Sequence, residues 1–479
     1  MEKLKYFHNE NYLLIYNVET LQLIKFRSGL KSILPKILPE DYSNAEKNAF
    51  YNKINNVNDL NFKIYLQQIF ETNSFNFDET ETDAEKETIT ISFAPTHKCN
   101  LKCKYCFAES GENYKNKKKN MDINTLDKIF KFIFDIYAPK CKNIQISLVG
   151  GGEPFLNLEI CKYLNESIEH YKKCVNKKLF IATNGTLYDN NIKNDLISIN
   201  PQLGISIDGN RINHNKFRIY QNSQGTYDDI ISNMAKIQSD KDLSKKTRNF
   251  TFMTVLTTEN LNLVELLKHH RNLGATSVQI KIVRSNDEKI SINEKNLYLF
   301  KNAYKELSDF LIEEFASKKM EYLYMITNKS DYFGKFIKSL LLSQPNIFRC
   351  GAGRDRLSFT ADGNIFPCDN FVGNNKFLLG SVFDEFNANL YKKFNQLSIN
   401  KLETCSSCWI RYLCSGDCCF NSFVRTGDIS TPDPVMCDLF KFLGELSIRL
   451  VTTLDDIDRN QFKSFKRLIS IREKNNFIH

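Results

Sequence analysis

Short apolar runs recur from residue 88 to about residue 283, at 88–94, 143–149, 178–182, 203–207, 249–256 and 277–283, with helix-like stretches between them. Each run has the length and β-branched content of a buried strand. Between the first two, Leu126, Ile129, Phe130, Ile133 and Phe134 have the i, i+3, i+4, i+7 spacing of a one-sided helix. Repeated β–α units predict an α/β domain with a parallel sheet and helices outside it. Ligands in such folds gather at the C-terminal ends of the strands.

The flanks read differently. Residues 12–16 and 21–26 are apolar runs around Asn17-Val-Glu-Thr20, a β-hairpin pattern, and 62–70 has helical spacing. Residues 1–85 are expected to form a small α+β, winged-helix-like module that ends in an acidic linker at 78–87. The barrel-like region is assigned to 86–310. Amphipathic, motif-free helices follow, with 311–349 as a bridge, a cysteine-rich segment at 350–445, and a C-terminal helix (439–454) with a basic tail to 479.

The chain has 479 residues, enough for two or three domains, and 42% of them are hydrophobic. No apolar run reaches the roughly 18–20 residues of a membrane span, and the N-terminus has no signal-peptide block. The expectation is a cytoplasmic protein without a membrane partner. A net charge of +9 is modest for this length. It suits an acidic peptide, a nucleic acid or a solvated lysine-rich surface, and the last is preferred, so no nucleic-acid partner is assigned. The run 115–119 reads as an exposed loop. In a reducing compartment, 14 cysteines point to metal or redox chemistry rather than disulfides.

Cys99, Cys103 and Cys106 stand at C-x3-C-x2-C spacing directly after the first strand. A structural zinc site or an ordinary four-iron cubane takes four protein ligands, so a local set of three leaves one metal position open. This loop resembles the signature of radical S-adenosylmethionine (SAM) enzymes, in which three thiolates hold a [4Fe–4S] cluster and SAM chelates the fourth iron. Gly150-Gly151-Gly152-Glu153-Pro154, after the second strand, is similar to that family's GGEP motif, where glycines admit close backbone approach and Glu153 would accept from the SAM ammonium. The resemblance further implies Ser206 and Arg218 as SAM contacts, the arginine toward its carboxylate, and Tyr105 beside the adenine. Phe107 suits packing, and Asn184 and Asp208 suit shaping the cavity or capping turns. A (β/α)6 partial barrel and a 5′-deoxyadenosyl radical are what the resemblance implies for fold and activity.

A second set, Cys350, Cys368, Cys405, Cys408, Cys414, Cys418 and Cys437, resembles the SPASM domain of radical SAM peptide-modifying enzymes. That resemblance implies two auxiliary [4Fe–4S] clusters, one on Cys350, Cys368 and Cys418 and one on Cys405, Cys408, Cys414 and Cys437. The first set is one thiolate short. Some members have an extra cysteine soon after the first, but 351–357 contains none, leaving Cys419, another ligand or a substrate thiol to fill the place. Zinc is the competing metal. Trp409, inside this loop, is expected to shield a cluster, and Cys141, Cys161 and Cys174 to be packing thiols. The family reading is a maturase that installs a crosslink, a thioether, in a ribosomally made precursor peptide. Its partners would be that peptide and an external one-electron donor such as flavodoxin or ferredoxin. Residues 1–85 would either recognise the leader peptide by strand addition or simply cap the barrel. An anaerobic sulfatase-maturing enzyme that forms formylglycine is the alternative, and a non-enzymatic iron–sulfur or zinc scaffold is a third.

Overall fold

The structure, a computed structural model, describes residues 4–8, 12–27, 86–106, 108, 120–136, 141–170, 176–283, 285–328 and 331–478. The expected helix at 62–70, most of the acidic linker, the lysine run, Phe107, Cys174 and the side chain of Cys141 lie outside the described residues.

At the N-terminus β1 (Leu4–His8), β2 (Tyr12–Asn17) and β3 (Leu23–Arg27) form an antiparallel sheet in the order β1-β2-β3. The hairpin expected from the sequence is the β2–β3 pair. Asn17 organises its turn by accepting from the backbone N–H groups of Glu19 (2.9 Å) and Thr20 (3.0 Å), the side-chain turn mimicry that asparagine favours.

All six central runs are strands of one parallel array: β4 (Lys86–Phe93), β5 (Cys141–Leu148), β6 (Asn176–Thr183), β7 (Gln202–Ser206), β8 (Thr251–Leu256) and β9 (Ser277–Ile282). They pair in sequence order. Connecting helices include α1 (Ile123–Ile136), α2 (Glu159–His170), α3 (Asn190–Ile199), α4 (Arg211–Phe217), α5 (Tyr227–Ser239) and α6 (Leu263–Asn272). Asp122 caps α1 by accepting from Thr125 N–H at 2.8 Å. The predicted face of α1 is buried at Leu126, Ile129, Phe130 and Ile133, each contributing about 2 kcal/mol of burial.

The array does not stop at six strands. After α7 (Leu297–Ala316), α8 (Glu321–Asn328) and α9 (Tyr332–Leu342), the chain returns as β10 (Arg356–Phe359), which pairs parallel to β4 with Leu357 opposite Ile91. β11 (Asn364–Phe366) and β12 (Gly380–Ser381) continue antiparallel, giving the order β12-β11-β10-β4-β5-β6-β7-β8-β9. Phe359 stacks on Phe93 (ring centroids 5.7 Å) and meets Phe132 of α1 edge-on (6.0 Å), so α1 covers the new seam as well as the old one. The cysteine-rich segment is therefore continuous with the barrel sheet.

Beyond the short α10 (Cys419–Thr426), the C-terminal helix spans Pro434–Ile457 (α11), packing on α7 and α9. The basic tail is a helix, α12 (Arg459–Ile478), which folds back with Phe465 and Ile469 buried and Lys338 paired to Glu473 at 3.0 Å. Trp409, read from the sequence as a shield for a cluster, also forms a packing surface. Phe7 and Tyr16 of the N-terminal sheet pack edge-on against it at 5.8 and 6.0 Å, and Lys5 lies over its ring at 5.7 Å. Its large apolar surface thus receives the N-terminal sheet, and Lys25 pairs with Asp456 across the same contact.

Candidate active site

One cavity of about 260 Å³ opens at the C-terminal ends of the parallel strands. Cys99, Cys103, Tyr105 and Cys106 line it from the loop after β4. Gly151, Gly152 and Glu153 come from the turn after β5, Thr183 and Asn184 from the end of β6, Ser206 from β7, and Arg218 from beyond α4.

Backbone contacts fix the cysteine loop. Lys102 N–H donates to Ile219 O (2.7 Å) and Lys104 N–H to Phe217 O (3.0 Å), tying the loop to the segment that carries Arg218. A tight turn from Cys106 N–H to Cys103 O (3.1 Å) gathers the last two thiols. Burial pushes the Cys99 thiol up to about 12 and Cys103 up to about 11, the latter despite the nearby Arg218 guanidinium. Thiols in that state lose their protons to a bound metal rather than to water.

The glycine turn fits against this loop with no room to spare. A Cβ on Gly152 would lie 2.4 Å from Lys98 O and 2.6 Å from Thr96 O, and one on Gly151 (φ +88°) would meet His97 Nδ1 at 2.6 Å. Glu153 is buried and anchored: Oε1 accepts from Thr183 Oγ1 (2.6 Å) and Phe155 N (3.1 Å), and Oε2 from Asn184 N (2.7 Å). Burial still pushes its carboxyl up to about 7, outweighing those bonds. Asp208, fully buried, works behind the cavity wall. One oxygen accepts from Arg218 Nε (3.0 Å) and the Tyr105 hydroxyl, the other from Val255 N (2.9 Å). Arg218 also lies over the Tyr105 ring at 5.4 Å, so one buried carboxylate orients both side chains.

Three lining residues come from far along the chain. Asp369, Asn370 and Phe420 reach the cavity from the cysteine-rich segment. They flank Cys368 and Cys419, and that adjacency was the one sequence signal that could have flagged them. Asp369 is buried and stands 3.6 Å from Arg356 Nη1. Lys281 of β9 lines the cavity too.

The remaining thiols fall into two neighbourhoods. Cys405, Cys408, Cys414 and Cys437 lie close enough to feel one another's charge. So do Cys350, Cys368 and Cys418, together with Cys419. Arg349 links the two groups: it precedes Cys350 and its Nη1 donates to Cys414 O at 3.2 Å. Cys161 is fully buried in α2. Among the described residues no three His, Cys, Asp or Glu side chains converge on a single-ion site. Cys99, Cys103 and Cys106 instead line one cavity, which suits a cluster whose irons each take their own thiolate.

The radical SAM superfamily model matches residues 93–270. The cysteine-type anaerobic sulfatase-maturating enzyme of Clostridium novyi (strain NT) is 26% identical over 373 residues, covering 74% of this chain and 93% of that protein. The radical SAM cyclopropyl synthase TigE of Paramaledivibacter caminithermalis is 25% identical over 378 residues, covering 74% and 72% respectively. Among solved structures, native anSMEcpe with bound AdoMet is similar at a TM-score of 0.62 and 22% identity, covering 77% of this chain and 100% of that one. Streptococcus suis SuiB bound to precursor peptide SuiA is similar at 0.51 and 15%, covering 91% and 98%. These two are likenesses of fold.

Proposed function

We propose that this chain, a radical SAM enzyme whose cofactors are a [4Fe–4S] cluster and SAM, matures a ribosomally made precursor peptide by forming a crosslink, a thioether, within it. The observation that carries the reading is the cavity wall: residues beside Cys368 and Cys419 close the same space that Cys99, Cys103 and Cys106 open. A substrate in that space touches the barrel and the cysteine-rich segment at once. Similarity in fold to SuiB, solved with a precursor peptide, extends over 91% of this chain and supports a peptide substrate.

In this reading Cys99, Cys103 and Cys106 hold the SAM-binding cluster, and the two auxiliary clusters belong to the cysteine groups of residues 350–437. When bound, cluster and SAM supply a 5′-deoxyadenosyl radical that takes a hydrogen atom from an unactivated carbon. The chain's residues do the positioning. The Gly151–Gly152 turn, packed against the cysteine loop, lines the SAM site, Arg218 faces its carboxylate with Nε already committed to Asp208, Glu153 takes its amino end, Ser206 contacts it, and Tyr105 flanks the adenine. Asp369 is the group placed to accept a proton from a substrate thiol, and the electron released as the C–S bond closes would pass to an auxiliary cluster. Residues 1–85 would present the leader, 86–310 the barrel, 311–349 the bridge and 446–479 the closing helices. An external flavodoxin- or ferredoxin-type donor and a cytoplasmic setting complete the proposal.

A second reading, formylglycine formation, is favoured by the sulfatase-maturating relative, of which 93% is covered. Mass spectrometry of a cysteine-containing substrate peptide separates the two. A thioether removes two hydrogens and protects the cysteine from alkylation, whereas formylglycine loses the sulfur. The prior test is the C99A/C103A/C106A variant. Reconstituted wild type should carry about 12 iron per chain and the variant about 8, for three and two four-iron clusters. The variant should make no 5′-deoxyadenosine under dithionite; undiminished production would overturn the assignment of the loop.

A further inference from the structure

We propose that Cys419 is the fourth thiolate of the first auxiliary group, completing Cys350, Cys368 and Cys418 and leaving no position there for a substrate thiol. This rests on the reading that these thiols hold a cluster. The place where an extra cysteine would follow Cys350 is closed by the backbone: the N–H groups of Arg354, Asp355 and Arg356 all turn onto Gly351 O at 2.9, 3.0 and 2.7 Å. No thiol is present in that turn. Cys419, by contrast, is buried in one apolar cluster with Cys368, and Cys350 and Cys418 lie close enough to interact with it electrostatically.

Adjacency in sequence is no obstacle. Cys418 is the extended cap residue (φ −64°, ψ 120°) and Cys419 opens α10, so their side chains leave the backbone in different directions. Each iron of a cubane takes one thiolate; consecutive cysteines therefore need to reach neighbouring irons, not the same one. The surroundings suit a closed site. Cys368 and Cys419 sit in an apolar cluster with Phe371, Phe377 and Phe394, and Phe420 packs edge-on against Phe371 at 5.3 Å. These rings wall the Cys368 and Cys419 side of the group, while Cys350 stands at its exposed edge and Asn370 Nδ2 donates to Cys368 Sγ at 4.0 Å.

The test uses the C99A/C103A/C106A protein as parent, so that only auxiliary iron is read. Iron content and low-temperature EPR are compared after Cys419→Ala, Cys419→Ser and, as a buried-thiol control, Cys161→Ala. Cys419→Ala should lower iron from about 8 toward about 4 per chain or convert one cluster to a three-iron signal. Cys419→Ser, close in size, should shift one cluster's spectrum, and the Cys161 control should match the parent. Parent-like iron and spectra in both Cys419 variants would overturn the proposal. So would a change in the parent's auxiliary spectrum on adding a cysteine-containing peptide. A parent that binds no iron would instead defeat the cluster reading itself, a separate outcome.

Discussion

At the scale of single residues, the site depends on atoms that are missing and on carboxylates that are hidden. Gly152 has no tolerance for a methyl group, because the atoms it would strike are backbone carbonyls that cannot rotate away. Gly152→Ala is expected to shift the turn and cost roughly 1–3 kcal/mol, read as a lowered thermal midpoint together with weaker SAM binding by calorimetry. Asp369→Asn should separate two functions. SAM cleavage should persist, because Asp369 has no bond to the residues that would hold SAM, while peptide turnover falls roughly 10²-fold or more with the proton acceptor gone. Equal losses in both would remove that role. The cysteine loop and the glycine turn were legible in the sequence because their spacing is local. Asp369, Asn370 and Phe420 were not, since nothing near residues 99–106 says which distant segment closes the cavity. Asp208 was legible only as a turn residue, because its hold on Arg218 and Tyr105 is a tertiary fact.

Among the elements, the six parallel strands were readable because strands buried on both faces must be apolar throughout. β10, β11 and β12 were not. They are two to four residues long, and the pairing of β10 with β4 is set by the partner's open edge and the Phe93–Phe359 stack, not by any pattern of its own. β1 was likewise too mixed to read. The α4 region carries a pH dependence. His214 is fully buried, its Nδ1 accepts from Asp208 N–H (3.2 Å) and its Nε2 meets Thr226 Oγ1 (2.9 Å). Burial lowers it from 6.5 to about 4, so it is neutral in the fold. The unfolded chain takes the proton first as pH falls. Its contribution to stability is therefore intact above about 6.5 and lost on the way down to about 4, some 3 kcal/mol in all. His270 is lowered in the same direction, also by burial. Chemical denaturation between pH 7.5 and 4.5 should show the wild type losing stability in that window and H214Q losing less of it; parallel profiles would assign the acid sensitivity elsewhere.

For the molecule as a whole, both ends of the chain are built into the central body. Leu14 and Tyr16 of the N-terminal sheet and Val18 of its β2–β3 turn belong to the same apolar core as the barrel strands. Removing residues 1–85 should then do more than slow peptide turnover. It would bare Trp409, the only tryptophan, whose emission is expected to move to longer wavelength as the thermal midpoint drops. An unshifted emission maximum would mean that the sheet docks too weakly to matter. The parallel pairing of β10 with β4 has a consequence in time. A ribosome adds roughly 5–20 residues per second, so β4 emerges and then waits on the order of tens of seconds before Arg356 exists to pair with it. For that interval the first strand of the barrel presents a bare, apolar edge, the kind of template on which a second nascent chain can add itself. Yield of this protein should therefore be governed by crowding on the message. Sparse ribosomes or slow, cool expression would favour native chains, and dense polysomes would favour inclusion bodies seeded through β4.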